Sequence, residues 1–414
     1  MNLRSIVLRV HRWSGLTVAG FLIVAGLTGS LLAFYSKLDH WVAPQFCVPV
    51  RPGAAKLDAG TLAERAQALV PDAIVTEVYL REEDRAEASV TARPDAPGKP
   101  SHPLDYDQLL LDPYTGAELG RRTWGDITQG WHNLMPFIYR VHYQLAMGNV
   151  GLWILGGVAL VWTLNCFVGL ALTLPVPVRR AGSDAPTTAG FWSRWRPTWC
   201  FKRGSSVWRF SFDLHRMTGL WLWPLLLVFA WSAVYMNMWD TVYTWATRSV
   251  MEFHAPWTDL TAPPKPAPEP PLRWPEAYAM GQRLMNAQAQ QHGFTVEHLV
   301  TLRYDVAHAA YLYRVRSSLD FQTQRGHTDL YFDGQSGAIK LLTLPKGQYA
   351  GNTVTNWLDA LHMANVFGRP YQWIVCLLGL AVTALSSTGV IIWWRKWRGR
   401  RAVTATTAQP LSPS

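Results

Sequence analysis

Four stretches of the chain carry no charged side chain and are long enough to cross a bilayer. They lie within Trp13–Ser36, Val150–Val178, Met217–Trp239 and Pro370–Trp394, and each exceeds the roughly 20 residues that a membrane-spanning helix needs. In hydrocarbon every backbone polar group must be satisfied inside the segment, so such runs become helices. The 22 Trp among 414 residues suit this class, because indoles anchor helices at the membrane interfaces. The first run is too long for a signal-peptide core, and no small-residue cleavage site precedes the polar stretch, so it reads as retained.

Charge orients the spans. Residues 1–12, 175–216 and 395–414 carry 16 Lys or Arg against only Asp184 and Asp213. The long segments 37–148 and 240–369 hold 22 basic and 26 acidic residues. Lys and Arg resist translocation, so the basic segments are expected in the cytoplasm, with both termini inside, and the long segments outside. The net charge of +10 is then a topology signal. It gives no reason to expect nucleic acid as a partner, since the excess sits beside spans and suits contact with membrane lipid.

The expected layout is an N-terminal segment and first span (1–36), an external α+β unit (37–127), an interfacial helix and second span (128–178) and a basic cytoplasmic loop (179–214). The third span (215–239), a second external unit (240–350), an interfacial helix with the fourth span (351–397) and a cytoplasmic tail (398–414) complete it. In the first unit, Thr61–Val70 has helical spacing, Ile74–Leu80 and Ala86–Ala92 read as strands, Pro94–Pro103 as a loop, and Asp112-Pro113-Tyr114-Thr115-Gly116 as a turn. The second unit repeats this, with a stiff Pro-rich linker over Ala262–Pro271, a helix over Pro275–Gln291, strands near Val296–Tyr304 and Ala310–Arg316, and the turn Asp333-Gly334-Gln335-Ser336-Gly337. Trp131–Leu145 and Thr353–Ala364 read as amphipathic interfacial helices.

Two copies of one motif head the outward spans: His11-Arg12-Trp13-Ser14-Gly15-Leu16 and His215-Arg216-Met217-Thr218-Gly219-Leu220. On a helix, i and i+4 share a face, so Gly15 and Gly219 each clear space one turn above a His. His142 and His362 precede the two inward spans. The expected sidedness pairs His11 with His215 near the inner face and His142 with His362 near the outer face. Two His facing each other across a helix bundle can ligate one heme iron, and ionisable groups at membrane depth default to function. Zinc would want three or four ligands close together. His132, ten residues before His142, falls near the same face. It could replace His142 as the outer ligand, contact a substrate or cap the interface, and His142 is put first because its position before the span matches that of His362. His40, His102, His254, His292, His298, His308 and His327 lie in polar segments and are expected to be solvated. Cys47, Cys166, Cys200 and Cys376 fit neither a disulfide framework nor a zinc spacing, and no Cys-X-X-Cys-His occurs, so heme would be held non-covalently.

These motifs, with Tyr139-Arg140-Val141-His142-Tyr143, Leu361-His362, Phe367-Gly368-Arg369 and Asp-Pro-X-Thr-Gly, resemble the PepSY-associated transmembrane family over nearly the whole chain, apart from the tail after Arg401. The resemblance implies an α-helical membrane protein of four transmembrane helices, made by internal duplication, with two periplasmic α+β PepSY-like units. Some members are similar to heme-containing inner-membrane reductases that release iron from ferric siderophores. The expectation is therefore an inner-membrane protein with two b hemes, on His11/His215 and on His142/His362, moving electrons outward to a ferric siderophore. Arg12 and Arg216 would face the inner propionates, and Arg140 and Arg369 the outer ones, although headgroup contact explains arginines there too. No dinucleotide fingerprint appears, so the donor would be a separate flavoprotein or quinol. The alternatives are a cofactor-free PepSY protein that binds or regulates a partner, and a quinone-linked cytochrome.

Overall fold

In a computed structural model, residues 2–80, 82–93, 103–176, 190–202, 207–263 and 269–407 are described. The Pro94–Pro103 loop, the 179–214 loop, the Ala262–Pro271 linker and the tail fall partly outside them, and His102 wholly so.

In chain order the elements begin with helices α1 (Leu3–Leu32), α2 (Tyr35–Val42) and α3 (Ala59–Leu69), followed by strands β1 (Ala73–Tyr79), β2 (Ala86–Ala92), β3 (Gln108–Leu111) and β4 (Glu118–Arg122). Helices α4 (Leu134–Gln144), α5 (Asn149–Thr173), α6 (Phe191–Trp195), α7 (Val207–Trp221), α8 (Trp223–Asn237), α9 (Thr244–Arg248), α10 (Pro256–Asp259) and α11 (Trp274–His292) come next. Strands β5 (Val296–Asp305), β6 (Ala310–Ser317), β7 (Thr328–Asp333) and β8 (Ile339–Thr343) precede α12 (Ala350–His362) and α13 (Gly368–Thr407). Two compact units result: a helical unit of Met1–Leu31, Val141–Met238 and Trp373–Ser414, and a sheet unit of Leu32–Arg140 and Trp239–Gln372.

In the helical unit, α1, α5 and the Gly368–Gly399 part of α13 are each long and apolar enough to cross a membrane, and α7 with α8 adds a fourth crossing if the bent pair is one span. The apolar run predicts one straight third span. The helix instead breaks at Leu222 with a bend of 71°. Pro224 is the cause. It has no N–H for the Leu220 carbonyl and its ring clashes with the preceding turn, so α7 stops at Trp221 and α8 restarts with Pro224 in its first turn.

Val18 and Leu22 of α1, Cys166 of α5, Leu226 and Ala230 of α8, and Leu378 and Val382 of α13 form one apolar core. Against lipid, such association comes from close packing and small residues. A Cβ on Gly26 would lie 2.5 Å from the Gly379 carbonyl oxygen, and one on Gly379 2.5 Å from that of Gly26. Ser30 donates to the Cys376 carbonyl at 2.9 Å beside this crossing.

In the sheet unit the two expected α+β units are not separate. Their strands join in one antiparallel sheet of order β4-β3-β2-β1-β5-β6-β7-β8, sealed where Val78 of β1 faces Leu302 of β5. Helices α3 and α11 cover one face, burying Leu62, Ala63 and Ala66, and Trp274, Ala277 and Met285, against Val75, Leu109, Leu302, Tyr313 and Leu330. Gly60 admits the backbone of Trp274–Pro275 to within 3 Å of where its Cβ would stand.

The halves match bond for bond at their terminal hairpins. Gly116 N–H bonds the Asp112 carbonyl at 2.8 Å and Gly337 N–H the Asp333 carbonyl at 2.9 Å. Gly116 and Gly337 have φ of 68° and 71°, the left-handed conformation that glycine adopts without steric cost. Each hairpin carries a register shift one or two residues before its turn, at Leu110/Leu111 and at Tyr331/Phe332.

Candidate functional site

The helical unit holds a cavity of about 620 Å³ whose lining includes His11, Gly15, Trp162, Asn165, Gly169, His215, Gly219, Leu385 and Gly389. It lies among α1, α5, α7, α8 and α13, and its size is that of a small-molecule or cofactor site. The structure thus brings together His11 and His215, one from each half of the chain, with both motif glycines. Their ring centres are 6.2 Å apart with planes at 71°.

Each imidazole has its Nδ1 engaged. His11 Nδ1 lies 2.8 Å from Asn165 Oδ1. His215 Nδ1 lies 3.0 Å from the Leu385 carbonyl and 3.2 Å from Thr388 Oγ1. The Leu385 carbonyl can only accept, so His215 carries its proton on Nδ1 and keeps the Nε2 lone pair. A second partner that fixes tautomer and ring angle is the usual environment of a metal-ligating His.

Two further glycines, missed in the sequence, seat the rings. A Cβ on Gly169 would stand 3.2 Å from His11 Cε1, and one on Gly389 3.3 Å from His215 Cε1. Their sequence signal is their spacing, since Gly169 and Gly389 are as far apart in the chain as His142 and His362. Gly15 and Gly219 behave differently. A Cβ on either meets nothing closer than 3.4 Å, so they leave the cavity open rather than admit a ring.

These residues fit a bis-imidazole heme. Two metal–nitrogen bonds of about 2 Å, each plus about 1 Å from nitrogen to ring centre, put the ring centres about 6 Å apart, which is the separation observed. The lining is mostly apolar, as a macrocycle requires, and Arg4, Arg12, Arg216 and Lys396 also reach it. Arg4 caps α5 through the Leu172 and Leu174 carbonyls, and Arg216 pairs with buried Asp213 at 3.1 Å.

The other predicted residues divide between the units. In the helical unit, His142 Nδ1 lies 2.9 Å from Thr28 Oγ1, and a Cβ on Gly29 would stand 2.9 Å from its Cε1. This is again a ring seated on a neighbouring helix's glycine with its Nδ1 engaged. In the sheet unit, His362 is the last residue of α12. One turn before it, buried Asp359 accepts from Gln322 Nε2 at 3.1 Å and pairs with His327 Nε2 at 3.3 Å. Burial alone would raise the Asp359 pKa, but the hydrogen bond and charge of His327, with Arg325, outweigh it and hold the carboxyl well below its ordinary range.

His132 does not share a helix with His142. It sits in a 3-10 turn, Trp131–Asn133, ahead of α4, so the same-face expectation, which needs one continuous helix, does not apply. Its ring stands edge-on to Phe46 at 5.3 Å, and burial, then the nearby Arg122, lowers its pKa. Arg140 bonds the Gly125 carbonyl at 3.2 Å, and Arg369 is exposed at the start of α13. Several histidines expected to be solvated instead contact a carboxylate: His40 with Asp84, His254 with Asp259, His308 with Asp305 and His327 with Asp359.

A search of curated proteins finds no match. The family model described as the PepSY-associated TM region matches residues 8–396, nearly the whole length, and the chain belongs to that family of membrane proteins.

Proposed function

We propose that the protein is an internally duplicated, four-span diheme b protein of a bacterial inner membrane that moves electrons outward to reduce a periplasmic ferric siderophore. The observation that carries this reading is the His11/His215 pair: ring centres 6.2 Å apart, Nδ1 atoms engaged, inside a cavity of about 620 Å³. When bound, heme supplies one-electron transfer.

The chain's own residues do the rest. Asn165, Leu385 and Thr388 orient the two imidazoles, Gly169 and Gly389 make room for them, and Arg12 and Arg216 offer charge to propionates. His142, with Thr28 and Gly29 behind it, and His362 are proposed as the second ligand pair, with Arg140 and Arg369 as candidate propionate partners. The excess of Lys and Arg beside the spans supports an inner position for His11 and His215. Reduction is an effective way to release iron, because hard oxygen donors hold Fe(III) far better than Fe(II). The electron donor would be a separate flavoprotein or quinol.

The test is optical. Purified protein should contain two b hemes per chain. Once reduced with dithionite, it should reoxidise on addition of a ferric hydroxamate siderophore and colour an Fe(II) trap. A colourless, folded protein would overturn the reading in favour of a partner-binding PepSY protein. Reduced hemes that ignore ferric chelates but oxidise with quinone would make it a quinone-linked cytochrome.

A further inference from the structure

The sheet unit holds a second cluster of metal-ligand side chains, which the sequence hides because its members are far apart. His40 comes from α2, Cys47 from the segment after it, and Asp84 from the β1–β2 connection. Their ligand atoms all lie within 4.8 Å of one another, and all three residues are partly buried. The strands and α2 hold this geometry. Val48 N–H bonds the Asp84 carbonyl at 3.0 Å, which ties the Cys47 segment to the connection, and the neighbouring Arg85 and Asp39 form a buried ion pair at 2.6 Å.

The hydrogen bonding leaves a position for a cation. His40 Nδ1 lies against the Ser36 carbonyl one turn back. A carbonyl only accepts, so Nδ1 carries the proton. His40 Nε2 then faces Asp84 Oδ2, 2.7 Å away, a contact that needs a proton or a metal ion between the two atoms. The other carboxylate oxygen, Asp84 Oδ1, is buried without a hydrogen-bond partner. Cys47 Sγ completes the group, with Arg85 NH1 at 3.8 Å placed to support a thiolate.

We propose that His40, Cys47 and Asp84 form a site for a borderline-soft divalent cation of the zinc class, with a fourth position open to water. The donor set, one imidazole, one thiolate and one carboxylate, is what Zn²⁺ takes. Two anionic ligands balance its charge. Ligands about 2.0–2.3 Å from a tetrahedral ion stand about 3.3–3.7 Å apart, so His40 and Asp84 open by about half an ångström and Cys47 moves in. Burial pushes the Cys47 thiol up to about 11, against the pull of Arg85. At neutral pH it is therefore protonated, and binding the ion releases its proton to solvent. Affinity should rise with pH. Occupancy would clamp α2 to the β1–β2 connection. The site is separate from the proposed heme ligands, so neither assignment depends on the other.

The experiment uses the full chain in detergent, metal-free and reduced. Co²⁺ should bind at one equivalent with the absorption of a tetrahedral thiolate complex, and Zn²⁺ should displace it and raise the melting temperature. Cys47→Ser should abolish the thiolate absorption, and His40→Ala and Asp84→Asn should each weaken Zn²⁺ binding by at least about 10-fold. Wild-type protein that gives no thiolate–Co²⁺ absorption overturns the proposal, whatever the variants do. So does stoichiometric Zn²⁺ binding of unchanged affinity in all three variants.

Discussion

The first and second copies of the motif deliver the same geometry with different atoms. His11 is held by a side-chain amide, Asn165, whereas His215 is held by a backbone carbonyl, Leu385, with Thr388 beside it. The terminal hairpins behave alike. Asp112 and Asp333 each accept two backbone N–H groups of the turn, from Tyr114 and Thr115 and from Gln335 and Ser336. Their cations come from different places: Arg51, far upstream of Asp112, and Lys340, just downstream of Asp333. What the copies share is what backbone sterics demand, namely the ring-seating glycines and the left-handed turn glycines. Where they differ, several side chains can supply one hydrogen bond or one charge.

The largest effect should come from the shared features. On the proposed diheme reading, Gly169→Leu or Gly389→Leu forces a His ring off its seat and should remove one of the two hemes by pyridine hemochrome assay. Gly157→Leu, on the same α5 but with nothing within 4 Å of a Cβ, should leave the heme content at two. Equal content in all three would show that neither Gly169 nor Gly389 is needed to seat its histidine.

The divergent holders should separate next. Asn165→Leu removes the His11 acceptor and should weaken heme retention by about 10–100-fold. Thr388→Val leaves the Leu385 carbonyl in place and should cost far less, and competition with apomyoglobin measures both. Equal losses would mean that Thr388, rather than the carbonyl, fixes His215.

In the sheet unit, Asp112→Ala and Asp333→Ala should each destabilise by about 1–2 kcal/mol in urea melts, the cost of leaving turn N–H groups without their acceptor. A difference beyond that range would show that the two hairpins are not equivalent.

The smallest effect is with pH. Backbone and hydroxyl hydrogen bonds from Ser336, then Lys340, lower the Asp333 pKa to about 2. A depressed carboxyl stabilises the fold above its unfolded pKa of about 4, and that contribution is lost as pH falls through about 2. Asp333→Asn should therefore show less loss of stability than wild type between pH 4 and 2. Parallel melting curves would remove the effect.

Much of this is legible in the sequence. The four apolar runs, the strands of both halves and the His11/His215 pairing follow from periodicity, charge and one repeated motif. The joined sheet is not, because pairing of Val78 with Leu302 is a long-range choice between two strands that each read correctly alone. The break at Leu222 escapes because hydropathy averages over Pro224, although the proline is there to be read. Gly169 and Gly389 stand in apolar runs where glycine is ordinary, and only the His rings lying on them give them meaning. His132 is over-read when helical spacing is extended across Asn133 into a turn.

The crossing of α1 and α13 at Gly26 and Gly379 has a consequence for biogenesis. Helix α1 packs against α13, although the sheet unit and α5, α7 and α8 are made between them. The cavity around His11 and His215 takes one wall from α13, through Leu385, Gly389 and Trp393. Until that helix is synthesised and inserted, the site has an open side and His215 lacks its Leu385 acceptor. The closed cavity is thereby tied to synthesis of α13, and a product truncated before residue 385 would keep both histidines yet lack that wall.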